Sequence, residues 1–256
     1  MHYGFEMKLG EGEIALNPLI IVQYKAELKK KVVSLQDYFL NEGVSVDAEL
    51  IAKHLFPEMH CDVFISHSFN DQNAAIQLAH NLKQKGIVAF VDSIFWGSDY
   101  ELLKAIDDKY SVPMGSRTYD YKRLNRSAAH VNMILATALQ KMIMRSSMLL
   151  FLNTENSIST KHSVQDEQRT HSAWIHMELM FSHMMWEVEQ SKNMIDGLQS
   201  YATESLPIYH KAHTEHLKSL SYRDFASWLG GYIRADEPQV FPAAAKNLYR
   251  GRNRVY

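Results

Sequence analysis

Short apolar runs alternate with amphipathic stretches over most of this chain, and the alternation predicts its secondary structure. Apolar runs that end in small polar residues are typical of buried parallel strands, and three are present: CDVFISHS (61–68), IVAFVDS (87–93) and SSMLLFLN (146–153). SLPIYH (205–210) is a fourth candidate strand. Because helical patterns separate these runs, we expect a mostly parallel sheet covered by helices on both faces.

Helical spacing of apolar residues predicts the elements between the strands. In residues 70–86, Ala75, Leu78, Ala79 and Leu82 share one face, and Gly86 ends the helix. Further helices are expected at 98–110, 127–145, 171–188 and 222–233, whereas 111–126 and 153–171 are expected to be loops.

The helix expected at 171–188 places a carboxylate in an unusual position. Its apolar side chains recur at helical spacing and form one stripe: Trp174, Met177, Phe181, Met184, Met185 and Val188. At ~100° per residue, Glu178 falls at the edge of this stripe, one turn from Trp174 and beside Phe181. A carboxylate at that position is a candidate for chemistry.

The two ends of the chain lack this alternation. Residues 1–60 are expected to form a helical N-terminal extension, with helices at 21–43 and 45–57. Residues 61–235 are expected to form the main domain, and residues 236–256 a C-terminal tail. Neither end carries residues that suggest a site.

Composition narrows the compartment and the partners. The net charge of −2 gives no overall attraction to nucleic acid or to an anionic membrane, so we expect neither as a partner. Cys61 is the sole cysteine, which excludes a disulfide within the chain. No signal-type segment and no run of ~20 apolar residues is found, which predicts a cytoplasmic protein.

Small polar residues follow each predicted strand, where ligands bind in open parallel sheets. They are Ser66, His67 and Ser68 after the first strand, Asp92 and Ser93 after the second, and Asn153 after the third. Asp92 and His67 carry polar groups that can hydrogen-bond a ligand at this edge. Trp96, in the loop after Asp92, can stack on a flat heterocycle. We therefore include Ser66, His67, Asp92 and Trp96 as candidate substrate contacts.

Three segments resemble a known family. DVFISHSFND (62–71) resembles the first signature of TIR (Toll/interleukin-1 receptor) domains, and FVDSIFWGSD (90–99) looks like their second strand and the loop after it. WIHMEL (174–179) is similar to the Trp-x-x-x-Glu element on the helix that carries the catalytic glutamate of NAD-cleaving TIR enzymes. The longer pattern up to LFLN looks like a bacterial TIR-like family associated with antiphage defence.

The resemblance implies a flavodoxin-like TIR fold and an NAD glycohydrolase or cyclase. Such an enzyme breaks NAD into nicotinamide and ADP-ribose, or into a cyclic or conjugated ADP-ribose signal, with NAD as substrate and no cofactor or metal. Glu178 would be the catalytic residue and Trp174 its structural support. His67 and Asp92 also map onto family positions, whereas Trp96 lies in a loop that differs from that of animal TIR domains.

One carboxylate is enough for this reaction. A glycosidase needs a second carboxylate to protonate a poor leaving oxygen. Nicotinamide instead leaves a cationic pyridinium as a neutral molecule, so no acid is required. The remaining demand is stabilisation of a ribosyl cation, which a fixed carboxylate in a water-poor pocket provides.

Alternative interpretations stay open for several of these residues. Many TIR domains act without catalysis, as interaction modules that assemble through TIR–TIR contacts, and this chain can be one of them. Asp92 can simply cap a turn, and Trp96 can pack at an interface. We expect self-association in either case, and a downstream effector that senses an ADP-ribose signal if the chain is an enzyme.

Histidine spacing near the C-terminus raises a metal hypothesis that the sequence disfavours. His210, His213 and His216 are three residues apart, so on a helix the first and last would diverge by ~120°. No cysteine or paired carboxylate completes a ligand set, and we expect a solvated helix face instead. Cys61, at a strand start, is expected to be a buried apolar residue.

Overall fold

The computed structural model describes residues 3–27, 61–91, 103–104, 106–113, 115, 117–158, 168–190, 210–232 and 240–251. The chain divides into two compact units, of which the first comprises Met1–Leu16, His60–Val91 and Ile143–Tyr256. The second unit comprises Asn17–Met59 and Asp92–Met142. In the second unit, residues 18–27 and 106–110 are helical, in agreement with two of the predicted helices.

The described part of the chain contains seven strands and several helices, which alternate over part of the sequence. The strands are β1 (Tyr3–Lys8), β2 (Val63–Ser66), β3 (Ala89–Val91), β4 (Met148–Asn153), β5 (Arg169–Thr170), β6 (His210–Lys211) and β7 (Lys218–Ser221). Besides the helical residues 18–27 and 106–110, the described helices are α1 (Gln72–Gln84), α2 (Tyr121–Arg145), α3 (Ala173–Gln190), α4 (Tyr222–Gly231) and α5 (Val240–Tyr249). A short 3₁₀ turn, Phe69–Asp71, precedes α1.

Five strands form one parallel sheet in the order β3-β2-β4-β1-β7. Strands β2, β3 and β4 take the positions of the first three strands of a flavodoxin-like sheet, whose order is 2-1-3-4-5. Helices cover both faces, so the structure confirms the predicted α/β class with a parallel sheet. Strand β4 is the middle strand of this sheet and lies in the core, since Met148 to Leu152 are all fully buried.

Strand β1 overturns part of the predicted N-terminal extension. Residues 3–8 lie between β4 and β7 in the middle of the sheet, so the prediction of a helical extension is wrong for them. Tyr3, Phe5 and Met7 alternate with Gly4, Glu6 and Lys8, which is the period of a strand. The segment is too mixed in polarity to match the apolar runs that form β2 and β4.

The C-terminal region also differs from the predicted tail. Residues 240–249 form α5, whose Phe241 packs edge-on against Trp228 of α4, with ring centroids 6.3 Å apart. The Tyr249 ring lies 5.6 Å from the Phe5 ring in β1, again in an edge-on arrangement. Helix α5 therefore covers the sheet face that carries Tyr3 and Phe5, and the prediction of a tail is wrong for these residues.

The predicted elements around β2 and β3 are confirmed. Helix α1 buries Ala75, Leu78, Ala79 and Leu82 as expected. It ends at Gly86, whose φ of 72° suits glycine because it has no Cβ. The amide of Gly86 donates to the Lys83 carbonyl, and the amide of Ile87 donates to the Leu82 carbonyl. These two bonds close the helix and direct the chain into β3.

Two further boundaries differ from the predictions. Helix α2 begins at Tyr121, six residues before the predicted start, since Asp120 accepts a bond from the Arg123 amide and caps it. Of the strand predicted at 205–210, only His210 is described, and it lies in β6, which pairs antiparallel with β5 in a separate small sheet. No described helix is long and apolar enough to cross a membrane.

Candidate functional site

The candidate site lies at the carboxyl edge of β2 and β4. Strand β2 is followed by α1 and by β3 on one side, whereas β4 lies on the other side of β2. The strand order therefore reverses between β2 and β4, which is where open α/β sheets bind ligands. Ser66 is the last residue of β2, and Asn153 is the last residue of β4.

Helix α3 brings Glu178 to this edge. The helix begins after Ser172, whose Oγ accepts a hydrogen bond of 3.2 Å from the Ile175 amide. Ile175, Glu178, Leu179 and Ser182 lie on one side of α3 and are almost fully buried. This spacing of three, four and seven residues is that of a single helix face. Glu178 is therefore a member of the buried face.

The buried face of α3 is not the apolar stripe that the sequence suggests. The stripe that the sequence suggests is only half-buried, and its last member, Val188, is 69% exposed. That stripe lies roughly 120° around the helix from the buried face. Glu178 lies at the edge of this stripe, as predicted, but it belongs to the buried face, where a fully buried glutamate and serine take the place of apolar residues.

A short hydrogen bond joins Glu178 to the sheet. The Ser66 hydroxyl donates to Glu178 Oε2 over 2.6 Å, and both residues have no exposed surface. Removing a carboxylate from water costs several kcal/mol unless it is compensated, and a hydrogen bond to an ionised acceptor is about twice as strong as a neutral one. Ser66 therefore both stabilises the buried carboxylate and fixes its position.

His67 is held beside this pair by the backbone. It is 3% exposed, and its Nδ1 lies 3.1 Å from the Ile65 carbonyl oxygen. A carbonyl oxygen only accepts hydrogen bonds, so Nδ1 of His67 is the donor in this contact. The orientation of His67 is thus set by β2 itself.

The remaining predicted site residues have different outcomes. Trp174 lies in the first turn of α3 and is half-buried, so it is not the core residue that the sequence suggests. Asp92 and Trp96 lie outside the described residues. The structure therefore brings together Ser66, His67 and Glu178.

Two loops at the site are linked by Asp71, the residue directly before α1. Its carboxylate accepts a bond of 2.5 Å from the Thr154 hydroxyl and one of 2.7 Å from the Asn156 amide. Asp71 precedes α1, and Thr154 directly follows β4. These bonds hold the loop after β2 against the loop after β4, so the rim of the crevice is fixed on both sides.

A second polar contact attaches α3 one turn further along. Ser182 Oγ lies 2.9 Å from His216 Nε2, and both side chains are buried. His216 packs close to Gly4 of β1, where an added Cβ would lie 3.4 Å from the imidazole Cδ2. Helix α3 is thus tied by polar groups to β2 through Ser66 and to the residues over β1 through His216.

The histidines near residue 213 are not on a helix. His210 lies in β6, while His213 and His216 belong to the segment between β6 and β7. The His183 ring of α3 stacks on that of His213, with centroids 5.3 Å apart. The expectation of a solvated helix face is wrong, since this segment packs on α3. Within the described residues, no group of three or more potential ligands has the arrangement of a metal site.

Sequence reasoning missed Glu6, a buried carboxylate on the same sheet face. Glu6 is 8% exposed, and its Oε1 accepts a hydrogen bond from the Asn153 side-chain amide. The alternation in YGFEMK could have identified the strand. It would have placed Glu6 on a polar, solvated face, because a sequence pattern does not reveal that both faces of β1 are covered.

Comparison of the chain with family models, with curated proteins and with solved structures found no match.

Proposed function

We propose that this chain cleaves NAD between nicotinamide and ribose. The observation that carries the proposal is the fully buried Glu178 carboxylate, fixed by Ser66 at the point where the strand order of the sheet reverses. A buried carboxylate costs stability, and such a cost is tolerated where a charge is needed for function. The TIR resemblance of residues 62–71 and 174–179 supplies the reaction.

Glu178 acts in this proposal by stabilising charge. As the glycosidic bond breaks, nicotinamide takes the bonding electron pair and leaves as a neutral molecule, and positive charge develops on the ribose. The carboxylate faces this charge in a site from which water is excluded, where a fixed negative group acts most strongly. Water then attacks C1′ and releases a proton, giving ADP-ribose. Attack by a ring nitrogen of the adenine gives the cyclic product instead.

His67 and Ser66 have supporting roles in the proposal. Ser66 keeps the carboxylate in place through its 2.6 Å bond. His67, whose Nδ1 is bonded to the Ile65 carbonyl, is the proposed contact to a ribose hydroxyl or a phosphate. Asp92 and Trp96 remain proposed substrate contacts, on a ribose hydroxyl and on a flat ring respectively.

The biological setting is also part of the proposal. Following the TIR resemblance, the chain acts in the cytoplasm in bacterial antiphage defence, by NAD depletion or by an ADP-ribose signal that an effector protein senses. TIR–TIR self-association assembles the active form. Nucleic acid and membranes are not among its proposed partners.

Nicotinamide release from NAD tests the reaction directly, and Glu178→Gln tests the residue. The substitution preserves the volume and removes the negative charge, so we expect the chain to fold and the rate to fall ~10²- to 10³-fold. NAD binding should change much less, because the ribosyl cation exists only near the transition state. Glu187→Gln is the matched control: it is the same change on the same helix, at a side chain that is 57% exposed.

The experiment uses the purified full chain and cells that express it during phage infection. Chromatography measures free nicotinamide and ADP-ribose species in both. If Glu178→Gln retains full NAD cleavage or full phage protection, Glu178 is not the catalytic residue. If NAD stays intact in infected cells and no new ADP-ribose species forms, the proposed reaction is refuted.

A second candidate function is a non-catalytic module that associates with copies of itself. It is favoured by the apolar side of α3, which is half-buried and ends in the exposed Val188. Exposed apolar stripes of this kind are typical of interaction surfaces. Phage protection that survives Glu178→Gln but is lost in Val188→Asp would support this function over catalysis.

A further inference from the structure

Glu6 is a buried carboxylate on a central strand, where an apolar residue would normally lie. It is 8% exposed, between neighbouring strands on both sides, and the described partner of its Oε1 is the neutral Asn153 side chain. A hydrogen bond to one amide compensates only part of the cost of burying a carboxylate. Selection for stability alone does not account for a glutamate at this position.

The strand register places Glu6 in one row with Ser66. Glu6 is opposite Phe151 of β4, and Phe151 is opposite Ser66 of β2. Side chains that are opposite each other in adjacent parallel strands lie on the same face, so Glu6 and Ser66 share the face on which α3 packs. Two strand spacings of about 4.8 Å separate their backbones by roughly 10 Å.

Two further residues give this part of the sheet a polar edge. Asn153 ends β4 and is half-buried, and Lys8, opposite it in β1, is exposed. Lys8 is two residues beyond Glu6 and therefore lies on the same face, nearer the carboxyl edge. A carboxylate, an amide and an ammonium group thus follow one another along the sheet next to the Glu178 site.

We propose that Glu6, positioned by Asn153, binds the hydroxyls of the adenosine ribose of the dinucleotide. This inference rests on the proposed function, in which the other ribose lies at Glu178. An acidic side chain at a sheet edge accepts hydrogen bonds from ribose hydroxyls in nucleotide-binding α/β folds. NAD has two riboses joined by a diphosphate, and the exposed Lys8, nearer the carboxyl edge than Glu6, supplies a positive charge for that diphosphate in the proposal.

Ligands that contain only one of the two riboses of NAD make the proposal testable. Nicotinamide mononucleotide contains the ribose assigned to Glu178, and ADP contains the one assigned to Glu6. We expect Glu6→Gln to weaken ADP and ADP-ribose binding about ten- to hundredfold, as the loss of a hydrogen bond to a charged group does. Cleavage of nicotinamide mononucleotide should stay within about twofold of the unsubstituted chain, because it lacks the adenosine ribose.

A structural role of Glu6 gives a different result. Glutamine keeps an oxygen that accepts the Asn153 bond, so Glu6→Gln should leave the free energy of unfolding nearly unchanged. Binding of 2′-deoxy-ADP by the unsubstituted chain provides a measurement that needs no variant. Removal of the 2′-hydroxyl should weaken binding to the unsubstituted chain, and should have little additional effect in Glu6→Gln, because both changes delete the same contact. Glu187→Gln serves as the exposed control.

Isothermal titration of the full chain with ADP-ribose, ADP and 2′-deoxy-ADP distinguishes the outcomes. If ADP-ribose fails to bind, or binds equally to the unsubstituted chain and Glu6→Gln, the inference is refuted even where NAD is cleaved through Glu178. If ADP binding depends on Glu6 but NAD is never cleaved, the ribose site stands and the proposed reaction fails.

Discussion

The bond between Ser66 and Glu178 makes a prediction that is independent of any reaction. Ser66→Ala removes the hydroxyl that donates over 2.6 Å to a carboxylate with no exposed surface. A hydrogen bond to a charged group contributes ~1.5–3 kcal/mol, and a neutral one ~0.5–1.5 kcal/mol. We therefore expect Ser66→Ala to lower the free energy of unfolding by ~1.5–3 kcal/mol in the original chain.

A double-mutant cycle with Glu178→Gln isolates this contribution. In the Glu178→Gln background the lost bond is neutral, so Ser66→Ala should cost only about 1 kcal/mol, which gives a coupling energy of ~0.5–2 kcal/mol. Urea unfolding of the four proteins, followed by circular dichroism, measures the coupling. For a chain of this size, each kcal/mol also corresponds to a shift in Tm of roughly 2–4 °C.

Ser157→Ala is the control for this cycle. Ser157 is 2% exposed, and its hydroxyl bonds neutral backbone groups of Thr154 in the same crevice. Its effect should add to that of Glu178→Gln within about 0.5 kcal/mol. A coupling energy of zero between Ser66 and Glu178, or one no larger than that of Ser157 with Glu178, would refute the arrangement of α3 on the sheet.

Two further predictions concern residues outside this pair. Burial, with a smaller effect from Asp62, raises the pKa of Cys61 from 9.0 to about 12, so a thiol reagent at about pH 8 should label Cys61 only after unfolding. Because the pKa of Cys61 is higher in the folded than in the unfolded chain, the protonated thiol contributes to stability fully below pH 9, and this contribution is lost between pH 9 and about 12. The Cys61→Ala variant should not show this loss. Ile175→Ala should lower the free energy of unfolding by ~2–5 kcal/mol, and Trp174→Ala should lower it by less because Trp174 is half-buried. A larger loss for Trp174→Ala would indicate that the apolar stripe of α3 is its buried face after all.

The sequence predicts best where one physical signal dominates. Strands β2, β3 and β4 are apolar runs bounded by polar residues, and Gly86 marks the end of α1 through its positive φ. Their local patterns agree with the tertiary structure, so the α/β class follows from them. The positions of Ser66 and His67 are predictable for the same reason, because the end of a buried parallel strand marks the edge of the sheet.

Prediction is wrong where long-range packing decides. Apolar periodicity predicts a buried face of α3 that lies about 120° around the helix from the observed one. The amphipathic signal is weak because Glu178 and Ser182 lie on the observed buried face. The position of β1 depends on pairing with residues 148–153 and 218–221, which no local pattern contains. Glu6 is missed with it, since its burial follows from that pairing.

The position of β1 between β4 and β7 also determines when the sheet can be completed during synthesis. Tyr3 to Lys8 leave the ribosome before either neighbouring strand, and β4, the first of the two to be made, begins only at Met148. At ~5–20 residues per second, β1 waits on the order of ten seconds or longer without its neighbouring strands. Strands β2, β3 and β4 can associate earlier, but β4 then has an open apolar edge until β1 returns. Pairing over such separations is slow, and the unpaired edge of β4 can associate with other chains until β1 pairs with it.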